Sequence, residues 1–379
     1  MIPLILYLLV ILLNMFFVFI QKRNKWVVLF SIIVIILLGC YSSAKEGDLS
    51  VYFFEYHSGD YELDRWERGY LWLMTLCRSF GLKFNVFRVV IFLSSLTLIF
   101  FGIRPYIKNY HMLIIVYELA IFLFLAVAIR YFLAFAFIIF GLRFLRSRYF
   151  PIFVLCVALG TLFHKSVLFA VLFLFGALPQ KKRRSIKKAL KIVYGLEIAL
   201  MVFMTIDTSL MQPVTDFVFL IVKDVFGEEG IYADRYISVA SYSRKRWLLV
   251  LMYYATIVLA NISLRYVERY TDEKMKERTE TLYMVTLLTG IIMPVLILTD
   301  VMLRFVFFGT TCTFILVSMA LEKMTITKEH IVISKVKVDY NLFVALALLV
   351  AVLYPLLIYS GFCYDSFDLL GFLEGNSLF

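Results

Sequence analysis

Two predicted apolar hairpins of this chain each carry one polar residue at the tip. Arg130 lies within the run 116–136, and His164 lies within the run 158–170. An ionisable side chain inside a hydrocarbon-like run is expensive, which suggests a role in binding or chemistry at the membrane. Arginine binds phosphate through a planar fork of N–H groups and stays charged. Histidine can take up a proton near neutral pH or act as a cation.

The composition sets the class of protein in which these residues act. Of the 379 residues, 63% are hydrophobic and 17% aromatic, and the mean hydropathy is +0.90. Apolar runs recur from end to end, so we predict an all-α, polytopic helical membrane protein that forms one integral membrane domain over residues 1–379. The net charge of +11 reflects loop residues of a membrane protein, and we expect no nucleic-acid partner. The scattered cysteines contain no CxxC pair, so we expect neither a metal cluster nor a disulfide framework. We also expect no metal site and no cofactor.

The hydrophobic runs predict about twelve membrane spans. They lie near 2–20, 26–43, 86–103, 111–128, 131–145, 150–163, 166–179, 189–209, 247–263, 282–298, 302–320 and 341–360. Most of the 38 lysines and arginines fall in alternate loops, which the positive-inside rule places in the cytoplasm. Both termini and the long loops near 44–85 and 208–246 are then expected outside. The basic run 181–184 is a topology determinant or a contact for anionic lipid.

The polar tips of the two hairpins are expected to lie below the outer membrane surface. The spans that flank them are short, with roughly 14–18 residues against about 20 for a full crossing. Folding each hairpin as a pair of helices also keeps the basic cluster 143–148 inside. Arg130 and His164 would then line a cavity rather than face lipid.

Several short motifs that contain polar or charged residues follow one another along the chain. They are Gly47-Asp48-Leu-Ser-Val-Tyr52, Trp66-Glu67-Arg-Gly69-Tyr70, Ile129-Arg130-Tyr131-Phe-Leu-Ala134, Phe163-His164-Lys-Ser166 and Arg304-Phe-Val-Phe-Phe. In this order and spacing they resemble the EpsG-type branch of the Wzy-like polysaccharide polymerases. Tyr131 departs from that pattern, because the family usually has glutamine there.

The resemblance implies an extracytoplasmic polymerase in the bacterial cell membrane, with a GT-C-like arrangement of helices. Such proteins join undecaprenyl-pyrophosphate-linked oligosaccharide repeat units into capsule, exopolysaccharide or O-antigen, without a nucleotide sugar or a metal. The implied partners are the lipid-linked oligosaccharides, the bilayer, a flippase and a chain-length regulator. The sugar hydroxyl that attacks needs a base, and the departing pyrophosphate needs cations.

The candidate site residues follow from that chemistry. The candidates for the base are His164, Asp48 and Glu67. The candidates for binding pyrophosphate or the lipid-linked sugar are Arg130, Arg304, Asp300, Tyr52, Tyr131, Tyr70 and Arg235.

Simpler interpretations stand beside each of these assignments. Arg130 would merely extend its head to water, His164 would merely cap a turn, and Arg304 would form a structural pair with Asp300, four residues away. The carboxylates would be solvated loop residues, and the tyrosines would form an interfacial belt.

Two other functions compete with the polymerase. A flippase or other transporter of lipid-linked oligosaccharides would also need many spans, but it would place ionisable residues in mid-membrane. Here most ionisable residues cluster at the outer face. An acyltransferase, or a transferase that adds one sugar from a lipid carrier, would share the outward site.

Overall fold

The computed structural model describes residues 1–43, 47–59, 67–206, 213, 216, 247–293, 303–333, 336–358 and 369–378, and these are largely helical. The helices are α1 (Ile2–Phe19), α2 (Lys25–Tyr41), α3 (Gly47–Ser58), α4 (Arg68–Ser79), α5 (Phe84–Ile103), α6 (His111–Val116), a π-helix (Tyr117–Ile121), α7 (Phe122–Val127), α8 (Ile129–Leu142), α9 (Phe150–Thr161), a 3₁₀ helix (Lys165–Ala177), α10 (Gln180–Ile206), α11 (Trp247–Val267), a short 3₁₀ turn (Glu268–Tyr270), α12 (Glu273–Gly290), α13 (Leu303–Thr327), α14 (Tyr340–Ile358) and α15 (Leu369–Glu374). A small antiparallel hairpin pairs β1 (Ile331–Ile333) with β2 (Val336–Val338).

The helices agree with the expected all-α membrane protein. By length and composition, five of those in the described part of the chain can cross a membrane: Ile2–Phe19, Phe84–Ile103, Trp247–Tyr270, Leu303–Thr327 and Tyr340–Ile358. Shorter apolar helices, such as Ile129–Leu142 and Phe150–Thr161, lie between them. Each of the twelve predicted spans overlaps a described helix, while the number of crossings and the GT-C-like arrangement stay predictions.

Two helices begin earlier than the hydrophobic pattern predicts. α10 starts directly after Pro179, so the basic run 181–191 is helical and not a loop. α12 starts at Glu273 because the Asp272 carboxylate accepts the main-chain N–H of Met275 at 2.7 Å, which is an N-cap. In both cases the polar first turns of the helix carry no hydrophobic signal, so apolar runs alone place the start too late.

α13 is the central helix of the bundle. It is 25 residues long, and 94% of its most apolar window is buried by other helices, chiefly α11 and α12. Arg304 lies in its first turn. Near its other end, the Glu322 carboxylate accepts the main-chain N–H of Lys108 at 2.6 Å. The Arg304 end and the end that meets the basic loops are therefore opposite ends of the same helix.

A break in the helix places Arg130 at a helix start. α7 ends at Val127 and α8 begins at Ile129, with Ala128 between them at φ −90° and ψ 60°, outside the helical region. Arg130 thus lies in the first turn of α8, which packs against α5 and α9. His164 occupies the equivalent place in the second predicted hairpin, between α9 and the 3₁₀ helix, and these two also pack together.

Candidate functional site

Three residues that are far apart in sequence meet around the guanidinium group of Arg304. Its Nη1 atom donates to Nε2 of His164 at 2.7 Å. Its Nη2 atom lies 3.7 Å from a carboxylate oxygen of Asp48, and this ion pair is partly exposed to solvent. The segment near 44–85, predicted as a loop, contains the helices α3 and α4. The first turn of α3, the turn after α9 and the start of α13 therefore contribute one residue each to the same contact.

The contacts of His164 fix which ring nitrogen carries the proton. Arginine can only donate hydrogen bonds, so Nε2 of His164 is an acceptor and the proton resides on Nδ1. Nδ1–H then donates to the Ser166 hydroxyl at 2.7 Å. The main-chain N–H of Ser166 also lies 3.2 Å from Nδ1, but a protonated nitrogen cannot accept it. Burial and the positive charges of Arg304 and Arg130 lower the pKa of His164, which keeps the ring neutral.

Arg130 is held by a carboxylate and two aromatic rings. Its Nε donates to the Tyr52 hydroxyl at 3.0 Å, and its Nη1 forms a short ion pair with Glu67. The guanidinium carbon lies 5.3 Å from the ring centre of Tyr52 and 5.6 Å from that of Tyr70, both within cation–π range. The side chains of Arg130 and Glu67 are only 10% and 9% exposed. An arginine that merely extended to water would not be enclosed in this way.

Glu67, the residue before α4, also attaches this helix to the turn that carries His164. Its second carboxylate oxygen accepts the main-chain N–H of Lys165 at 3.0 Å. Two residues later, the N–H of Gly69 donates to the carbonyl of Leu162 at 2.9 Å. A Cβ atom at position 69 would lie 2.7 Å from that same carbonyl oxygen, so only glycine allows this close approach.

Tyr52 and Asp48 connect the two arginines. The Tyr52 hydroxyl accepts from Arg130 and donates to Asp48 at 3.4 Å. Burial raises the pKa of Tyr52, which keeps the hydroxyl protonated and able to donate. Asp48 in turn faces Arg304, so one continuous chain of polar contacts runs from Glu67 through Arg130, Tyr52 and Asp48 to Arg304.

Two further candidates, Tyr131 and Tyr70, pack against residues of this network. Tyr131 is fully buried, its hydroxyl donates a short hydrogen bond to the main-chain carbonyl of Arg304, and its ring packs edge-on against His164 at 5.5 Å. Tyr70 is also buried and packs against Tyr52 at 5.5 Å. The two remaining candidates, Asp300 and Arg235, lie outside the described residues.

The acids and cations of the site differ in how accessible they are. Both oxygens of Glu67 have partners within the protein, whereas the Asp48 side chain is 42% exposed and its contacts are long. The Arg304 side chain is 18% exposed, and its Nε has no hydrogen-bond partner among the described residues. The arrangement thus offers one open carboxylate beside one partly open cation. Among these same residues, no cluster of three or more His, Cys, Asp or Glu side chains could hold a metal ion.

Sequence reasoning did not select Arg88 or Ser166. Arg88 is fully buried near the start of α5, where it donates to the carbonyl of Ser42 at 3.0 Å and to the Ser42 hydroxyl at 2.7 Å. It thereby caps the end of α2, shortly before the start of α3, which carries Asp48. The signal that selected Arg130, a cation within an apolar run, was equally present at Arg88.

Comparison with known proteins adds a family to this geometry. Searches of curated proteins and of solved structures give no match. The model of the EpsG family matches residues 47–364, a segment that begins one residue before Asp48 and includes Glu67, Arg130, His164 and Arg304. That match confirms the resemblance seen in the short motifs, and the chain belongs to the EpsG family.

Proposed function

We propose that this EpsG family protein is a polysaccharide polymerase that joins undecaprenyl-pyrophosphate-linked repeat units in the bacterial cell membrane. The observation that carries the proposal is the open carboxylate of Asp48, 3.7 Å from the partly open cation of Arg304. Transfer of a glycan from a pyrophosphate carrier to a sugar hydroxyl needs both an anion-binding cation and a proton acceptor.

Arg304 is the group that we assign to the pyrophosphate. Its side chain is partly exposed, its only ion pair among the described residues is long, and Nη1 of its fork is held by the neutral ring of His164. A bidentate phosphate contact needs an arginine that is oriented but not neutralised. Arg130 is instead neutralised by Glu67 and enclosed by Tyr52, so we assign it to holding the outer loop in place.

Asp48 is the group that we assign to the acceptor hydroxyl. When a pyrophosphate binds Arg304, it replaces the weak contact with Asp48 and leaves that carboxylate unpaired beside the donor. The carboxylate can then take the proton of the sugar hydroxyl as the new glycosidic bond forms, while the carrier pyrophosphate leaves with the bonding electron pair. Glu67 is less suited to this step, because both of its oxygens already have partners.

The orientation of the protein belongs to the same proposal. The basic loops meet the opposite end of α13 from Arg304, and basic loops face the cytoplasm in most membrane proteins. The site would then face outward, where flipped lipid-linked units are available. A flippase that delivers these units and a chain-length regulator are the partners that this assignment requires.

The decisive experiment uses purified protein in detergent. The substrate is the lipid-linked repeat unit extracted from cells of the source organism that lack this protein, and the product is followed on a gel. A polymerase yields a ladder of longer glycans without any membrane, whereas a flippase has no compartment to move its substrate into and yields none. The control variant is Lys274→Gln, a surface change far from the site, which is expected to form the same ladder as the unaltered protein. If neither the unaltered protein nor Lys274→Gln forms a ladder although both bind the substrate, the proposal is contradicted.

A further inference from the structure

A large groove opens at the end of the bundle that carries the basic loops, away from the site described above. It has a volume of about 950 Å³ and lies among α10, α11 and α12. Its rim is formed by charged side chains and its floor by apolar and aromatic ones, including Ile257, Leu264, Leu287, Tyr194 and Tyr283. The groove therefore joins a polar opening to an apolar interior.

Some of the charges at the rim are already neutralised within the protein. Glu280 pairs with both Arg183 and Lys187, and Glu273 pairs with Lys276 at 2.6 Å. These contacts fix α10 against α12, since Arg183 is almost fully buried. These contacts form part of the wall of the groove. Of the other two acids that line it, Glu277 pairs with Arg146 and Glu268 lies near Arg265, so the cations of the lining outnumber its acids.

The cations that remain lie in two rows. On α10, Arg184, Lys188 and Lys191 are spaced four and three residues apart, which puts them on one face of the helix. Arg265, near the end of α11, and Arg269, in the 3₁₀ turn that follows, are four residues apart and line the same groove. All of these side chains are exposed, and none forms an ion pair with a carboxylate in the described part of the chain.

We propose that this groove binds the headgroup of an anionic phospholipid. The two rows of cations fit a phosphodiester, and the apolar floor fits the upper part of the acyl chains. Further along α10, Ile192 and Leu196 are exposed apolar side chains, so a lipid-facing surface continues from the groove. A soluble phosphate would use the cations but leave the apolar floor without a ligand, which is why a lipid is the better fit.

The test measures lipid binding directly by native mass spectrometry. The protein is purified in detergent and mixed with dioleoyl phosphatidylglycerol and, separately, with dioleoyl phosphatidylcholine. The triple variant Arg184→Gln, Lys188→Gln, Lys191→Gln is compared with the unaltered protein. Each cation near an anionic membrane surface is worth about fivefold in binding, so the variant is expected to bind phosphatidylglycerol at least about tenfold more weakly.

A matched control removes the same charge outside the groove. The triple variant Lys22→Gln, Lys274→Gln, Lys337→Gln changes exposed residues that do not line it and is expected to bind phosphatidylglycerol as the unaltered protein does. Inorganic phosphate at millimolar concentration is added as a competitor, and a size-exclusion profile checks that each variant is folded.

Three results would overturn the proposal. They are equal loss of binding in both triple variants, equal binding of phosphatidylcholine and phosphatidylglycerol, and full displacement of the lipid by inorganic phosphate. The first would indicate a general effect of net charge, the second a contact with acyl chains alone, and the third a phosphate site without lipid.

Discussion

Replacing His164 separates a positioning role from a role as base. Alanine at 164 removes the acceptor that Arg304 uses at 2.7 Å. A hydrogen bond to a charged group contributes about 1.5–3 kcal/mol, so losing it from the bound state corresponds to about 10- to 150-fold in rate. Glutamine keeps a carbonyl oxygen near the position of Nε2 but cannot exchange protons as imidazole does. We expect His164→Gln to stay within about tenfold of the unaltered rate and His164→Ala to lose the larger amount.

The assay is the initial rate of ladder formation at saturating lipid-linked substrate, with each variant matched for folded protein by size-exclusion chromatography. His164→Asn is the informative control, because its amide lies near the position of Nδ1, where it can contact Ser166 but not Arg304. We expect it to behave like the alanine variant. If the glutamine variant is as inactive as the alanine variant while both are folded and bind substrate, the assignment of His164 to positioning is wrong and a proton-transfer role returns.

The dependence of the rate on pH gives a second readout for the same residue. Burial and the nearby arginines lower the pKa of His164, so the neutral form that accepts from Arg304 persists on acidification past the usual histidine value of about 6.5. The unaltered protein and His164→Gln should therefore share the same acid limb. A base with an ordinary histidine pKa would instead give the unaltered protein a loss of about tenfold per pH unit below 6.5 that the glutamine variant lacks.

Three further substitutions test the rest of the network. Glu67→Gln leaves Arg130 enclosed without its carboxylate and should lower the free energy of unfolding by about 3 kcal/mol, seen as a lower melting temperature. Gly69→Ala places a Cβ atom 2.7 Å from the Leu162 carbonyl oxygen and should displace α4 from that contact. We expect a clear fall in the rate of glycan extension with a small change in melting temperature; an unchanged rate would show that the contact is not needed for activity. Asp48→Asn should bind pyrophosphate up to about fivefold more tightly, because a competing carboxylate is gone, yet extend glycans about 100- to 10,000-fold more slowly; weaker binding would contradict the exchange of partners.

Local sequence signals were enough to find the polar residues of the site. Arg130 and His164 stand out because an ionisable side chain within an apolar run is costly wherever the run folds. The same criterion applies to Arg88, which lies in an apolar run but belongs to none of the short motifs and was therefore not selected. Hydrophobic runs also located the helices, although they missed the polar first turns of α10 and α12, where a cap or an ion pair stabilises the helix.

The pairing between those residues could not be obtained in the same way. The spacing of Asp300 and Arg304 offered a local pair as the simpler alternative, and Asp300 lies outside the described residues; the contacts of Arg304 with His164 and Asp48, which are far away in sequence, had no such local signal. Likewise, the sequence placed Glu67 behind His164 and Asp48 as a candidate for the base, but it did not show that both oxygens of Glu67 are engaged, one by Arg130 and one by the main chain of Lys165. Which carboxylate stays open depends on tertiary contacts that spacing along the chain does not encode.

The two ion pairs of the site differ in length and exposure, and we therefore assign them different roles. The pair of Arg130 and Glu67 is enclosed, and removing one partner of such a pair costs about 3–5 kcal/mol, so an incoming ligand cannot open it cheaply. The pair of Arg304 and Asp48 is longer and more exposed, and opening a pair of that kind costs at most about 1 kcal/mol. An anionic donor can therefore take Arg304 from Asp48 while the other pair holds the loop still. On the proposed assignment, that exchange leaves a bound pyrophosphate beside an unpaired Asp48 carboxylate, so binding of the donor and release of the base are expected to be coupled.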